Sequence, residues 1–588
     1  MRKKLAALFA MFFCLSAILL GCGQTSDGGS NDDNTNSTQT QLYVYVFSRG
    51  YGSEYLYKLK NRFEALHAND SYEEGKKGVQ IKINVSDDNS ATKYAENVRN
   101  QKDDVFFAED SYYRTLAQAN VLLDLTDAVT TESKYDGKTV ASKFNSHQDD
   151  YLKVDGKYYG VPHYQGEYGF VYDADLFEKK GYYFKDGYTV ADGFVANKYD
   201  SAQYGEYYSD EMFVSAGDKT TKRTAGPDCV SGTADDGLPS TYDEFFFLLE
   251  HIASNGDIPV SWAGSYYDGY LNLLTHSLTT DYEGFDDMSL NYNFNGDDSE
   301  MIKLDADGKI VKNAAGAAEI ESKTISADNA SEVRRQAGLY KALQFMNNLI
   351  NTDRYHIDDN YAFASFEHTA NQEKFLWSSL RSGEQSVAMI VDGIWWQREA
   401  TQVFKDIVSA KGEAYSANSR NLGWMPLPKA TVEKRDADNG KTTHNDIMNS
   451  FIFARAGIED YKKDLARDFI QFACSDESLV EFTTETNTLK ALTYTLSETE
   501  QSKLTPFGKS LYNACLNEKS STIYPYSSSA KYLNNVSKYN KEYYNVSVTQ
   551  SVARLLRTTY QQGGKAFNVS YADTAFESIN KYFASAFN

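Results

Sequence analysis

The sequence predicts an α/β protein whose body is divided into at least two domains. With 588 residues, the chain is too long for one hydrophobic core. Its first third alternates short apolar runs with helix-period segments, the pattern of a mainly parallel sheet covered by helices. No repeat of solenoid period appears, so the alternation is not that of a repeat array.

Leu42 to Phe47 predicts a buried strand, since Tyr43, Val44, Tyr45 and Val46 are all strong strand formers. Ser48-Arg-Gly-Tyr-Gly-Ser53 is a turn. A helix follows, with Leu56, Leu59, Phe63 and Leu66 on one face. Val79 to Val85 is a second strand, and Asp104-Val-Phe-Phe107 a third. Tyr151 to Val161 predicts a hairpin turning at Asp155-Gly156. Thr241-Tyr-Asp-Glu244 is a capping box opening a helix that carries Phe245, Leu248, Leu249 and Ile252 on one side. Ile258 to Trp262, Val387 to Val391, Leu422 to Leu427 and Ser450 to Ala454 are further strands. Polar stretches at 186–235 and 286–332 interrupt the alternation as insertions. Tyr461, Leu465, Phe469 and Phe472 mark a strongly amphipathic helix.

The N-terminus has its own logic. Arg2, Lys3 and Lys4 precede an apolar run from Leu5 to Leu20, which ends abruptly in polar sequence. That describes a secretory signal peptide over 1–21, the run being too short and too sharply ended for a membrane span. The sequence Leu19-Leu-Gly-Cys22 resembles the lipobox of bacterial lipoproteins, in which the cysteine is acylated and becomes the new N-terminus. This resemblance implies a protein held to the outer face of the cytoplasmic membrane through Cys22. Residues 22–40 form a tether without aliphatic side chains beyond the anchor, spanning on the order of 25 Å.

Composition narrows the partners. Loss of the three leader cations takes Lys plus Arg from 59 to 56 against 82 acids, a net of −26. Such a charge argues against nucleic acid or an acidic lipid surface. Cys229, Cys474 and Cys515 remain, odd in number and widely spaced, so neither a disulfide framework nor a Cys-x-x-Cys metal site is indicated. The 45 tyrosines suit either recognition of polyhydroxyl ligands or a tyrosine-rich extracellular surface.

Six segments in order carry a further resemblance. They are the strand-turn-helix of Val44 to Phe63; Asp104-Val-Phe-Phe-Ala-Glu-Asp110 with Leu116 to Leu125; Asp155-Gly-Lys-Tyr-Tyr-Gly-Val-Pro162 with Gly169 to Phe177; Thr241 to Phe245 with Pro259-Val-Ser-Trp262; Ser382 to Trp395; and Leu422-Gly-Trp-Met-Pro-Leu-Pro428. Together, over residues 42–500, they resemble the extracellular solute-binding proteins of carbohydrate ABC transporters, the maltose-binding-protein-like group. The resemblance implies a two-lobed type II periplasmic-binding-protein-like fold with a hinge and an interlobe ligand cleft. By analogy one lobe takes 41–165 plus 387–446, and the other 166–386 plus 447–588. It implies capture of a sugar or oligosaccharide by a monomer and delivery to the permease of an ABC importer.

Sugar recognition needs flat apolar faces for pyranose C–H groups and charged or amide groups for hydroxyls. The candidates are Arg49 and Tyr51 in the first strand-helix loop, Glu109 and Asp110 after the third strand, and Gln165 and Tyr168 at the first lobe crossing. Trp262 and Tyr266 follow a strand end, as do Asp392, Trp395 and Trp396, and Trp424 lies in a strand. Of the adjacent Trp395 and Trp396, one is expected to face the cleft and the other the core. Asp228, Asp235 and Asp236 share one glycine-containing turn, which fits either an acidic turn or a structural calcium site; no other cofactor is implied. A secreted glycosidase and a receptor for a non-sugar ligand remain alternatives. The consecutive Glu109 and Asp110 do not supply the two carboxyls about 5–9 Å apart that a glycosidase needs, and Gly-x-Ser-x-Gly, His-Glu-x-x-His and P-loop motifs are absent.

Overall fold

A computed structural model describes residues 35–109, 112–145, 148–525, 527–535 and 543–587. The signal peptide, Cys22, most of the tether and Asp110 lie outside the described residues. The strands of the two main sheets are β1 (Thr40–Phe47), β2 (Val79–Ser86), β3 (Val105–Ala108), β4 (Gly160–Pro162), β5 (Tyr168–Asp173), β6 (Ile258–Ser261), β7 (Val387–Gly393), β8 (Leu422–Met425) and β9 (Phe451–Ala454).

Lobe 1 is built on a five-stranded sheet in the order β2-β1-β3-β9-β4. β1 pairs parallel with both β2 and β3, and Val44 lies opposite Ile83 on one side and Val105 on the other. All but one of its eight residues are buried, as a central strand covered on both faces requires. Helix α1 (Glu54–Leu66) lays Leu56, Leu59 and Phe63 on the sheet, and Phe63 meets Phe469 edge-on at 5.1 Å. Lobe 2 is built on the order β8-β5-β7-β6, with β7 parallel to β6 and antiparallel to β5.

These pairings correct the expected division of the chain. β7, assigned by analogy to lobe 1, sits in the centre of the lobe 2 sheet. β9, assigned to lobe 2, inserts antiparallel between β3 and β4 in lobe 1. Helices Asp460–Ala473 and Asp476–Thr486 follow β9 into the lobe 1 core through Phe469, Phe472 and Phe482. From Leu496 onward the chain is back in lobe 2. Both misplaced strands are short continuous apolar runs, which fit the middle of either sheet equally well.

Local expectations fare better. Asp155 and Gly156 take φ of 52° and 78°, the pair of positive values a two-residue hairpin turn needs. Thr241 caps the helix Tyr242–Ser254 by accepting the Glu244 amide at 3.3 Å. The reciprocal half of the box is absent, because the Glu244 carboxylate turns to the amide and hydroxyl of Ser240. The start of the 286–332 stretch is not irregular: it ends the long helix Tyr267–Asn293 and then forms a hairpin of Gly296–Ile302 with Ile320–Ile325. That hairpin clasps the last helix, Ser570–Phe587, through Lys309–Glu577 and Lys312–Asp573.

Three segments cross between the lobes, at about 163–167, 446–450 and 487–495, and hydrogen bonds stitch them together. His163 N–H donates to Ser450 O, Ile447 N–H to Gly166 O, and Gln165 N–H to Leu489 O, at 3.0, 3.0 and 3.2 Å. Lys490 Nζ lies 2.6 Å from His163 Nδ1, whose ring meets Tyr55 OH at 2.9 Å through Nε2. Burial pulls Lys490 down to about 7 and holds His163 well below the usual imidazole range.

Candidate functional site

The strand ends of the two sheets face each other in front of the hinge. From lobe 1 comes the loop after β1, in which Gly50 and Gly52 hold φ near +74°. A β-carbon on Gly50 would lie 3.3 Å from Trp395 Cδ1 of lobe 2, so the tight loop lets the two lobes touch there. One residue on, the Tyr51 ring stands 6.0 Å from that of Trp395 and its hydroxyl donates to Gln165 O at 2.7 Å. Glu54 at the start of α1 forms an ion pair with Arg398 of lobe 2.

Trp395 is the centre of this contact. It is half-buried and packs against all three apolar clusters, those of lobe 1, of lobe 2 and of the outer face of the lobe 2 sheet. Tyr168 meets it edge-on at 5.6 Å, and Tyr270 meets Tyr168 edge-on at 5.3 Å. Tyr266 is 53% exposed at the rim, with its ring 6.4 Å from the half-buried His368. Behind this aromatic wall sit two carboxyls. Asp392 and Glu399 share the Gln372 side-chain amide, at 3.1 and 3.0 Å. Burial, then the charge of Glu399, holds the Asp392 carboxyl well above the usual range, and burial raises that of Glu399 as well. Asp392 is closed to solvent, while Glu399 keeps some exposure. The surface thus offers tilted ring faces beside one reachable carboxyl, a combination suited to C–H and O–H groups on the same ligand.

Several expected site residues have other work. Trp262 is fully buried and donates its indole N–H to Ala362 O at 2.7 Å, so it is a core residue under the cleft and not a stacking surface. Trp396 is buried among Phe375, Phe404 and Phe507, and Trp424 packs on Gly169. Both are corrections with one cause: a sheet flanked by helices draws its largest apolar side chains inward. Tyr51, Gln165 and Tyr168 are buried as hinge and wall packing. The side-chain oxygen Oε1 of Gln165 accepts from Tyr524 OH at 2.9 Å. Arg49 is exposed and lies 3.4 Å from Asp87 within lobe 1. Glu109 is half-buried and accepts from Tyr164 OH at 2.6 Å, near the hinge.

Tyr270, His368, Gln372 and Glu399 escaped the sequence reading. Two of them carried a signal: Glu399 lies four residues after Trp395, and Tyr270 four after Tyr266, the spacing that shares a helix face. His368 and Gln372 reach the site from a separate helix, His368–Ser378, and nothing local marks them.

The Asp228 turn closes on itself. Asp228 accepts from Val230 N–H, Asp235 from Asp228 N–H and Thr233 OH, and Asp236 from Gly232 N–H. Burial lifts Asp235 to about 6. The three carboxylates are not among the described groups whose ligating atoms lie within 4.8 Å of one another. A hollow of about 450 Å³ bounded by Thr401, Phe404 and Val408 opens on the outside of lobe 2, away from the cleft.

Residues 52–275 match the model of the family described as bacterial extracellular solute-binding protein. That segment runs from the loop before α1, through the first crossing, into the helix that carries Tyr270. Over that segment the chain is similar to bacterial extracellular solute-binding proteins. No curated protein matches the chain. Among solved structures, the cyclic alpha-maltosyl-1,6-maltose binding protein of Arthrobacter globiformis shares 14% identity at a TM-score of 0.48, covering 93% of this chain and 100% of that one. A chitin oligosaccharide binding protein shares 16% at 0.48, over 93% and 99%. RafE from Streptococcus pneumoniae shares 13% at 0.47, over 93% and 100%.

Proposed function

We propose that this protein is a surface receptor that captures a sugar or oligosaccharide between its lobes and delivers it to an ABC importer. The observation that carries the reading is Trp395, one aromatic side chain touching both lobes in front of the hinge, beside Tyr168, Tyr270 and the reachable Glu399. A ligand lying there meets groups from both lobes at once, and so favours closure by its differential affinity for the closed form. The matched family supports the class of function. The closed form would then dock on a permease whose ATPase is a separate chain. Lipidation of Cys22 would keep the receptor beside that permease, acting as a monomer on the outer face of the membrane. Among the described residues no helix is long and apolar enough to cross a membrane.

The carboxyl arrangement favours capture over hydrolysis. Asp392 and Glu399 are the close pair at the site, but Asp392 is closed to solvent and bonded to the Gly393 amide at 2.8 Å. It therefore cannot stand across a glycosidic bond from Glu399 as hydrolysis requires.

A thermal-shift screen against starch and plant oligosaccharides, with chromatography of the recovered sugar, tests the reading. At a ligand concentration about 100 times Kd, stabilisation of about 2.7 kcal/mol is expected, with the sugar returned intact. Cleaved sugar would establish the enzyme alternative, and a response confined to non-sugar solutes would replace the ligand class. For the anchor, Cys22→Ala is expected to move the protein from the detergent phase to the medium. Unchanged partition would remove the lipid from the proposal.

A further inference from the structure

Beside the hinge, three side chains with ligating atoms meet in the interior. Glu167 ends the first crossing segment, His444 lies on the strand Thr442–Asn445 just before the second, and Cys515 closes the helix Pro506–Cys515. They come from three separate parts of the chain, and one ligating atom of each lies within 4.8 Å of the other two. All three are buried, at 2, 6 and 3% exposure.

Their hydrogen bonding is incomplete. The Glu167 carboxylate has no partner other than the Cys515 thiol, and His444 Nε2 has none among the described residues. The Cys515 thiol lies against the Glu167 carboxyl, and the Ala514 carbonyl faces the His444 ring. Two residues from His444, Asp446 spends one oxygen on the Gly166 amide at 2.8 Å and leaves the other buried without a partner. A buried polar atom left unsatisfied is costly, so a cluster this poorly paired calls for a further group.

We infer that Glu167, His444 and Cys515 form a binding site for a divalent transition metal, with zinc the best fit. One thiolate, one imidazole and one carboxylate are ligand types zinc accepts, with a water completing the tetrahedron. Binding displaces the thiol proton and any proton on Glu167, and the dication balances the two anionic ligands left behind. Ligands of a tetrahedral zinc stand about 3.5 Å apart, so side-chain adjustments of about an ångström close the set. A metal there joins the first crossing segment to the body of lobe 2, fixing one side of the hinge while leaving the 446–450 and 487–495 segments to move.

The site is closed to solvent, so the test is made on the chain refolded from denaturant with metal present. Refolding with zinc, followed by desalting, is expected to leave one zinc per chain by elemental analysis. Refolding with cobalt(II) is expected to give the thiolate-to-cobalt charge-transfer band of a tetrahedral site. Cys515→Ser should lose that band and Cys229→Ser should keep it. If Cys515→Ser does not fold, Glu167→Gln decides, since it keeps the shape of the side chain and should weaken metal binding at least tenfold. Metal well below one per chain, no charge-transfer band, a band unchanged in a folded Cys515→Ser protein, or metal affinity unchanged in Glu167→Gln overturns the assignment.

Discussion

Replacing Trp395 with alanine separates the two roles assigned to that side chain. A large aromatic buries about 150–250 Å², and the half-buried Trp395 roughly 100 Å², worth about 2.5 kcal/mol at 25 cal/mol per Å². Its ring contacts with Tyr51 and Tyr168 add about 0.5–1.5 kcal/mol each. The total loss of unfolding free energy is therefore about 3.5–5.5 kcal/mol, measurable by urea titration. Among the Trp395 contacts, those with Tyr51 and Gly50 join the lobes, so the closed form loses about 1–2 kcal/mol relative to the open one. That alone lowers ligand affinity about 5- to 30-fold, and any stacking on the sugar adds to it. Calorimetric titration of the folded variant should show affinity reduced at least tenfold. Affinity within twofold of the wild type, in a variant whose circular dichroism is unchanged, would refute the placement of the cleft.

Other perturbations report on neighbouring parts. Trp262→Ala should cost about 3–5 kcal/mol of stability as a core truncation, while lowering sugar affinity less than Trp395→Ala does; the opposite ranking would restore Trp262 as a stacking surface. Gly50→Ala puts a side chain at φ +74° and a methyl 3.3 Å from Trp395. It should cost about 1 kcal/mol of stability and weaken binding several-fold by calorimetry. Lys490 titrates at about 7 in the fold and near 10.4 when unfolded, so between those values the unfolded chain holds the extra proton and stability rises with pH. Comparison with Lys490→Met should show the wild type gaining more than about 1 kcal/mol relative to the variant between pH 7 and pH 9, by urea titration; a flat or reversed difference would mean that Lys490 is solvated.

The sequence made local structure legible wherever one residue type forces one conformation. The Asp155-Gly156 turn, the Thr241 cap and the run from Leu42 to Phe47 stand where periodicity and turn chemistry put them. Lobe assignment was not legible in the same way. β7 and β9 are both apolar runs of similar character, and their sheet is decided by partners more than 100 residues away. The site was half legible. Strand ends pointed to the loops after β1, β6 and β7, yet aromatic identity alone could not separate Trp395 from Trp262 or Trp396. Those three share one residue type and differ in which side of the sheet edge the backbone turns them toward. His368 and Gln372 could not be found at all, because their role arises only when the helix His368–Ser378 packs against β7.

Calorimetric titration of the wild-type chain with the oligosaccharide that stabilises it most is the direct test of capture between the lobes. Saturable binding of one sugar per chain is expected, with the sugar recovered uncleaved and the affinity at least tenfold lower in Trp395→Ala. Absence of saturable heat with every oligosaccharide, or cleavage during the titration, would contradict it.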